Sequence, residues 1–78
     1  MDIKILGSGC AKCERLEDAT RAASARLGID PAIEKVTDPA EIASWGVMST
    51  PALVVDDEVV CAGRVPTADE VATLLSGR

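Results

Sequence analysis

Two cysteines three positions apart, Cys10 and Cys13 in the run Gly7-Ser8-Gly9-Cys10-Ala11-Lys12-Cys13, have the type and spacing to do chemistry. They lie where a short β-branched run, Ile3 to Leu6, gives way to a helical pattern opening at Ala11. A Cys-x-x-Cys at a helix start puts the first thiol at the N-terminal cap and the second one turn deeper. The first sulfur then meets unpaired backbone N–H groups and the positive end of the helix dipole, which favour thiolate over thiol. Thiolate is the nucleophile of disulfide exchange. Lys12 adds a nearby positive charge, and Arg15 a weaker one. Cys13 heads an apolar stripe and is expected to be buried and to stay a thiol. The pair reads as an attacking sulfur, Cys10, and a resolving sulfur, Cys13.

Composition removes many other chemistries. The 78 residues include no His, so there is no Ser-His-Asp or Cys-His pair and no histidine metal ligand. Eight Lys and Arg against 13 Asp and Glu give a net charge of −5, which argues against a nucleic-acid partner. Trp45 is the one aromatic, so base stacking has little to offer. No apolar run approaches the roughly 18 residues of a membrane helix, and the opening Met1-Asp2-Ile3-Lys4 does not read as a signal peptide, so none is expected. A cytoplasmic location is expected, where stable structural disulfides are rare. The hydrophobic content is 47%, and the core must be built mostly from Ala, Val, Ile and Leu.

Periodicity and punctuation give the elements that must position the cysteines. Ile3 to Leu6 reads as a strand stopped by Gly7-Ser8-Gly9. Ala11 to Leu27 reads as a helix, with Cys13, Leu16, Thr20, Ala23 and Leu27 on one face and Gly28 as its stop. Glu17 and Arg21 make an i,i+4 pair on its polar side. Ala32 to Val36 is a second strand. Asp38 and Pro39 open a short helix running to Trp45. Pro51 to Val55 and Glu58 to Ala62 flank the turn Asp56-Asp57 as a hairpin. Thr67 and Glu70 form a capping box for a last helix with apolar Val71, Leu74 and Leu75. The order β-α-β-α-β-β-α predicts an α/β fold: a four-stranded mixed sheet, its first two strands parallel, with helices on both faces.

These motifs resemble the thioredoxin fold, and most of all its small, minimal thioredoxin-like members. The resemblance is carried by Ile5 to Cys13, by Gly46-Val47-Met48-Ser49-Thr50-Pro51-Ala52-Leu53-Val54 and by Ala62-Gly63-Arg64-Val65-Pro66. It implies one thioredoxin-like domain over residues 1–78, acting as a thiol–disulfide oxidoreductase with Cys10 and Cys13 as its redox-active centre. It implies a cis-proline at Pro51 and a substrate-binding set of Gly9, Ala11, Lys12, Thr50, Pro51 and Gly63. It further implies disulfide-containing proteins as substrates, a thioredoxin-reductase-like flavoprotein as electron donor, and no cofactor in the chain itself. A monomer is expected. The sequence departs from larger thioredoxins at Lys4, where those carry a buried acid six residues before the first cysteine.

Other readings of the same cysteines are a copper- or zinc-carrying metallochaperone and a redox-sensing adaptor. Metallochaperones of this size run β-α-β-β-α-β, however, and tetrahedral zinc would need further ligands from Cys61 or carboxylates. Cys61, alternating with Val59 in the fourth strand, reads as a small buried hydrophobe, with a regulatory thiol as the other reading. Trp45 is expected to pack at the end of the short helix.

Overall fold

The β-branched and small apolar residues of this chain fold as four strands and three helices. The computed structural model describes residues 1–7 and 11–77. The elements are β1 (Asp2–Leu6), α1 (Ala11–Leu27), β2 (Ala32–Val36), α2 (Pro39–Ser44), β3 (Ala52–Val55), β4 (Glu58–Ala62) and α3 (Ala68–Ser76). The sheet order is β2-β1-β3-β4, with β1 and β2 parallel and the other two pairings antiparallel. This is the four-stranded mixed sheet that the element order predicts.

Local chemistry sets the ends of the helices. Past α1, Gly28 takes φ +68° and its N–H donates to the Ala25 carbonyl at 3.2 Å, while Ile29 N–H donates to the Ser24 carbonyl at 3.0 Å. Only a residue without Cβ takes that conformation cheaply, so the helix stops there. Asp38 caps α2 by accepting from the Ala40 N–H at 3.1 Å. The helix ends a residue before the expected Trp45, which serves as its C-cap. Thr67 accepts from the Glu70 N–H and Glu70 accepts from the Thr67 N–H, both at 3.2 Å, which completes the capping box. In the hairpin turn, Asp56 and Asp57 both have positive φ, the backbone that matches the twist of the flanking strands.

Strand alternation sorts the apolar residues into two cores. Ile3 and Ile5 of β1, with Leu53 and Val55 of β3, meet Leu16 and Ala23 of α1 and Val71 and Leu75 of α3. On the opposite face, Leu6, Val36, Ala52 and Val54 meet Ile42 of α2, with Trp45 and Val47 packed alongside. All four residues of β3 are buried, because helices cover both faces of this inner strand. Lys4 shares the α2 face. Its ammonium sits 5.6 Å from the Trp45 ring centroid and 3.9 Å from Asp57, so the stem is covered while the charge keeps partners.

Two expectations differ in detail. Leu27 closes the predicted apolar stripe of α1 but is exposed. A helix of 17 residues spans about 25 Å and a strand of 5 residues about 17 Å, so its last turn overhangs the sheet. Ser24 is buried on the flank of that face, and its hydroxyl donates to the Thr20 carbonyl at 2.8 Å. In β4, Leu53 pairs with Cys61 and Val54 with Val59, which leaves Val60 as an extra residue. This bulge breaks the alternation: Val60 joins Cys61 against the α1–α3 core, and Val59 is exposed.

Among the described residues, no helix is long and apolar enough to cross a membrane. The capping box is directly testable. Thr67→Ala is expected to cost about 1 kcal/mol in urea unfolding, while Thr73→Ala, exposed within α3, should stay within about half of that.

Candidate functional site

The site is built where β1 ends. The Gly7 N–H donates to the Val36 carbonyl at 2.9 Å, which ties the strand end to β2. Gly7 is buried, and a Cβ placed on it would overlap the Cys13 Sγ and lie 3.9 Å from the Pro51 Cα. The end of β1, the first turn of α1 and the entry to β3 therefore converge, with the backbone of Gly7 against a sulfur. Cys13 is 7% exposed, as its place at the head of the stripe predicts.

The other expected site residues divide by position. Ala11 and Lys12 are exposed on the first turn of α1. The expected roles of Gly9 and Cys10 lie outside the described residues. The Thr50–Pro51 peptide bond is cis, with Pro51 buried and Thr50 exposed. Gly63 has φ +79° and donates its N–H to the Pro51 carbonyl at 2.9 Å. A Cβ on Gly63 would stand 3.1 Å from the Ser49 Cβ, so the loop before β3 and the end of β4 run close together. Through Pro51 the structure thus joins Cys13, the Thr50 segment and Gly63.

A cavity of about 50 Å³ opens beside Cys13 and Gly7, edged by Glu14, Glu17, Lys35 and Thr37. Glu17 Oε1 lies 2.8 Å from the Lys35 ammonium, and Oε2 accepts from the Arg21 guanidinium at 2.8 and 3.1 Å. The Lys35 hydrogen bond first, and the Arg21 bond second, hold the Glu17 carboxyl below its usual range against a smaller opposing effect of burial. Glu17 in turn raises the Lys35 ammonium.

Cys61 packs elsewhere, in the α1–α3 core, with its Sγ 4.0 Å from the Arg64 carbonyl. The Arg64 side chain pairs with Glu70 at 2.8 Å, and this bond is the main reason that the guanidinium is raised further. Glu70 is lowered by the Thr67 N–H first and by Arg64 second. Among the described residues, no three Cys, Asp or Glu side chains gather as a metal-binding group.

Sequence reasoning missed three features. Gly7 reads there only as a strand stop, although a glycine directly between a strand and a Cys-x-x-Cys is a signal for close approach. Glu17 is visible as Arg21's helical partner and as the residue four past Cys13, but its bond to Lys35 needs the parallel pairing of β1 and β2. Met48, 98% exposed two residues before Thr50, has an apolar side chain beside the site.

Comparison with known proteins finds similarity along nearly the whole chain. A family model described as a thioredoxin domain matches residues 1–76. A thioredoxin of Methanocaldococcus jannaschii is 44% identical over 69 residues, covering 88% of this chain and 79% of the relative. A thioredoxin of Methanothermobacter thermautotrophicus is 41% identical over 76 residues, covering 97% of this chain and 99% of that protein.

Two measurements test this geometry. Gly7→Ala is expected to lose about 1–3 kcal/mol of stability, because the added methyl overlaps the Cys13 Sγ and forces that buried sulfur from its position. An unchanged urea midpoint would contradict the close approach. The Glu17 carboxyl should titrate below 4.5 by NMR, and Lys35→Met should raise its midpoint more than Arg21→Met does. The linkage follows from the sign. A carboxyl lowered on folding adds stability that is complete above the unfolded value and lost as pH falls through the folded one. Glu17→Gln should therefore flatten the acid limb of the stability curve.

Proposed function

This chain belongs to the thioredoxin family, and from that membership we propose that it reduces protein disulfides through the Cys10-Ala11-Lys12-Cys13 dithiol. Its chemistry is of the thiol–disulfide oxidoreductase type. The observation that carries the finer reading is the position of Cys13: buried on the first turn of α1, against Gly7 and beside Pro51.

In this reading the Cys10 thiolate attacks a substrate disulfide. A Cys10–substrate bond forms, and the first substrate sulfur leaves as thiolate. Cys13 then attacks Cys10, the mixed disulfide breaks, and the second substrate sulfur leaves. Two electrons have passed from the dithiol to the substrate, and Cys10–Cys13 is oxidised. A thioredoxin-reductase-like flavoprotein restores the dithiol, so the chain carries no cofactor of its own.

Substrate binding is assigned to the surface around Pro51. Thr50 is exposed beside it, and Gly63 is hydrogen-bonded to it, so an extended partner segment can approach the backbone there. Ala11 and Lys12, exposed on the first turn of α1, are assigned to the same partner, as is Gly9 by its place in the family's motif, and the exposed Met48 offers an apolar contact. The proposal includes the cytoplasm as the working compartment, a monomer as the working state, and residues 1–78 as one domain.

The reading is tested by reduction of insulin disulfides with dithiothreitol as electron source. Wild-type protein should accelerate precipitation of the insulin B chain, and Cys10→Ser should not. Cys13→Ser should accumulate a mixed disulfide with insulin through Cys10. A trap through Cys13 in the Cys10→Ser variant, with none in the other, would reverse the assignment.

A further inference from the structure

The resolving step has a proton to dispose of. At neutral pH a cysteine of ordinary pKa near 8.5 is mostly thiol, and burial favours the thiol further. Cys13 is 7% exposed, so its proton must leave through the protein before its sulfur can attack. The chain has no histidine to take it. Lys4 lies on the other face of the sheet, engaged with Trp45 and Asp57.

The cavity beside Cys13 supplies both a route and an acceptor. At about 50 Å³ it has room for water, which needs only some 10–15 Å³. Two carboxylates edge it. Glu14 follows Cys13 directly on α1 and so points about 100° around the helix from it, and it is exposed. Glu17 is four residues on, which places it above Cys13 on the same face, and its side chain is only 14% exposed. Lys35 and Arg21 each hold one of its oxygens, which fixes the carboxylate at the cavity edge. The charged groups lining the cavity are Glu14 and Glu17 from α1 and Lys35 from β2, with Arg21 bound to Glu17 from one turn on; Ile5, Gly7 and Thr37 complete the lining and carry no charge.

We propose that the Glu17 carboxylate, held by Lys35, accepts the Cys13 proton through the cavity when Cys13 resolves the mixed disulfide. The proposal rests on the dithiol reading above. The Sγ–H bond of Cys13 breaks and its proton passes by way of water to Glu17. The sulfur's electron pair forms the bond to Cys10 Sγ. The bond from Cys10 to the substrate sulfur breaks, and that sulfur leaves as thiolate with the electron pair. Glu17 then releases the proton to solvent, where the thiolate takes one up. The two cations serve this role in two ways. They keep Glu17 ionised, and therefore able to accept, throughout the neutral range, and they make it release the proton quickly.

The test separates the two chemical steps. Fully reduced protein is mixed with one equivalent of 5,5′-dithiobis(2-nitrobenzoate) and quenched with acid at timed intervals over a range of pH. Mass spectrometry then counts the Cys10 mixed disulfide and the Cys10–Cys13 disulfide. Glu17→Gln is expected to slow conversion of the first into the second by at least about tenfold and to change its pH profile, with formation of the mixed disulfide unaltered. Glu17→Asp should recover part of the rate. Lys35→Met should slow the same step while leaving the first attack alone. Conversion at the wild-type rate in Glu17→Gln overturns the proposal, as does equal slowing of both steps. A wild-type chain that forms no mixed disulfide at Cys10 overturns the dithiol reading itself, and the relay with it.

Discussion

The position of the Cys13 sulfur depends on the absence of a side chain at Gly7. The strand end cannot retreat from the sulfur, because β1 is hydrogen-bonded on both sides and Gly7 is itself tied to Val36. The helix cannot retreat either, because Leu16 and Ala23 anchor α1 in the core shared with α3. The sulfur thus lies between two elements, each held by its own packing, with the Pro51 backbone approaching the same side of the glycine. Any side chain at position 7 would have to displace the Cys13 sulfur, an inner strand or the longest helix. Interiors packed near crystal density do not make such movements cheaply.

Apolar burial, not charge, supplies the stability behind this arrangement. Each fully buried Leu, Ile or Val contributes about 1.5–3 kcal/mol, and Ile3, Leu6, Leu16, Leu53, Val55 and Leu75 are all essentially inaccessible. The surface ion pairs contribute far less, typically about 0–1 kcal/mol each. Their distribution still matters. Arg26–Asp69 links α1 to α3, and Arg64–Glu70 links the loop after β4 to the first turn of α3. The Glu17 group with Lys35 and Arg21 is built on the least exposed carboxylate of these pairs, and it stands at the cavity beside Cys13. A small energetic return and a consistent position suit a role in chemistry.

Much of the fold was legible because local signals agree with one another. Asp38-Pro39, Gly28 and the Thr67–Glu70 pair mark helix ends through bonds that each residue makes with its own neighbours, and those bonds are present. The parallel first pair and the hairpin followed from their connections, whereas the placing of β1 beside β3 did not. Features that depend on distant partners were not legible. The exposure of Leu27 depends on how far α1 outruns the sheet. The bulge at Val60 depends on registering β4 against β3, and no residue type in β4 announces it. At the site, the burial of Cys13 followed from helical spacing, and the nearness of Pro51 and Gly63 from the family's motif. The Glu17–Lys35 bond joins segments whose spacing in sequence carries no hint of contact, whereas the sulfur against Gly7 was signalled only by a glycine between the strand and the motif.

The proposed chemistry needs an asymmetry between the two cysteines of the motif, with Cys10 attacking and Cys13 enclosed. It is tested most directly by timed alkylation of the fully reduced native protein with iodoacetamide, each cysteine being followed by peptide mass mapping. Cys10 is expected to be modified at least about tenfold faster than Cys13, and Cys61 about as slowly as Cys13, since the reagent reaches enclosed sulfurs poorly. Modification of Cys13 as fast as Cys10 would contradict it.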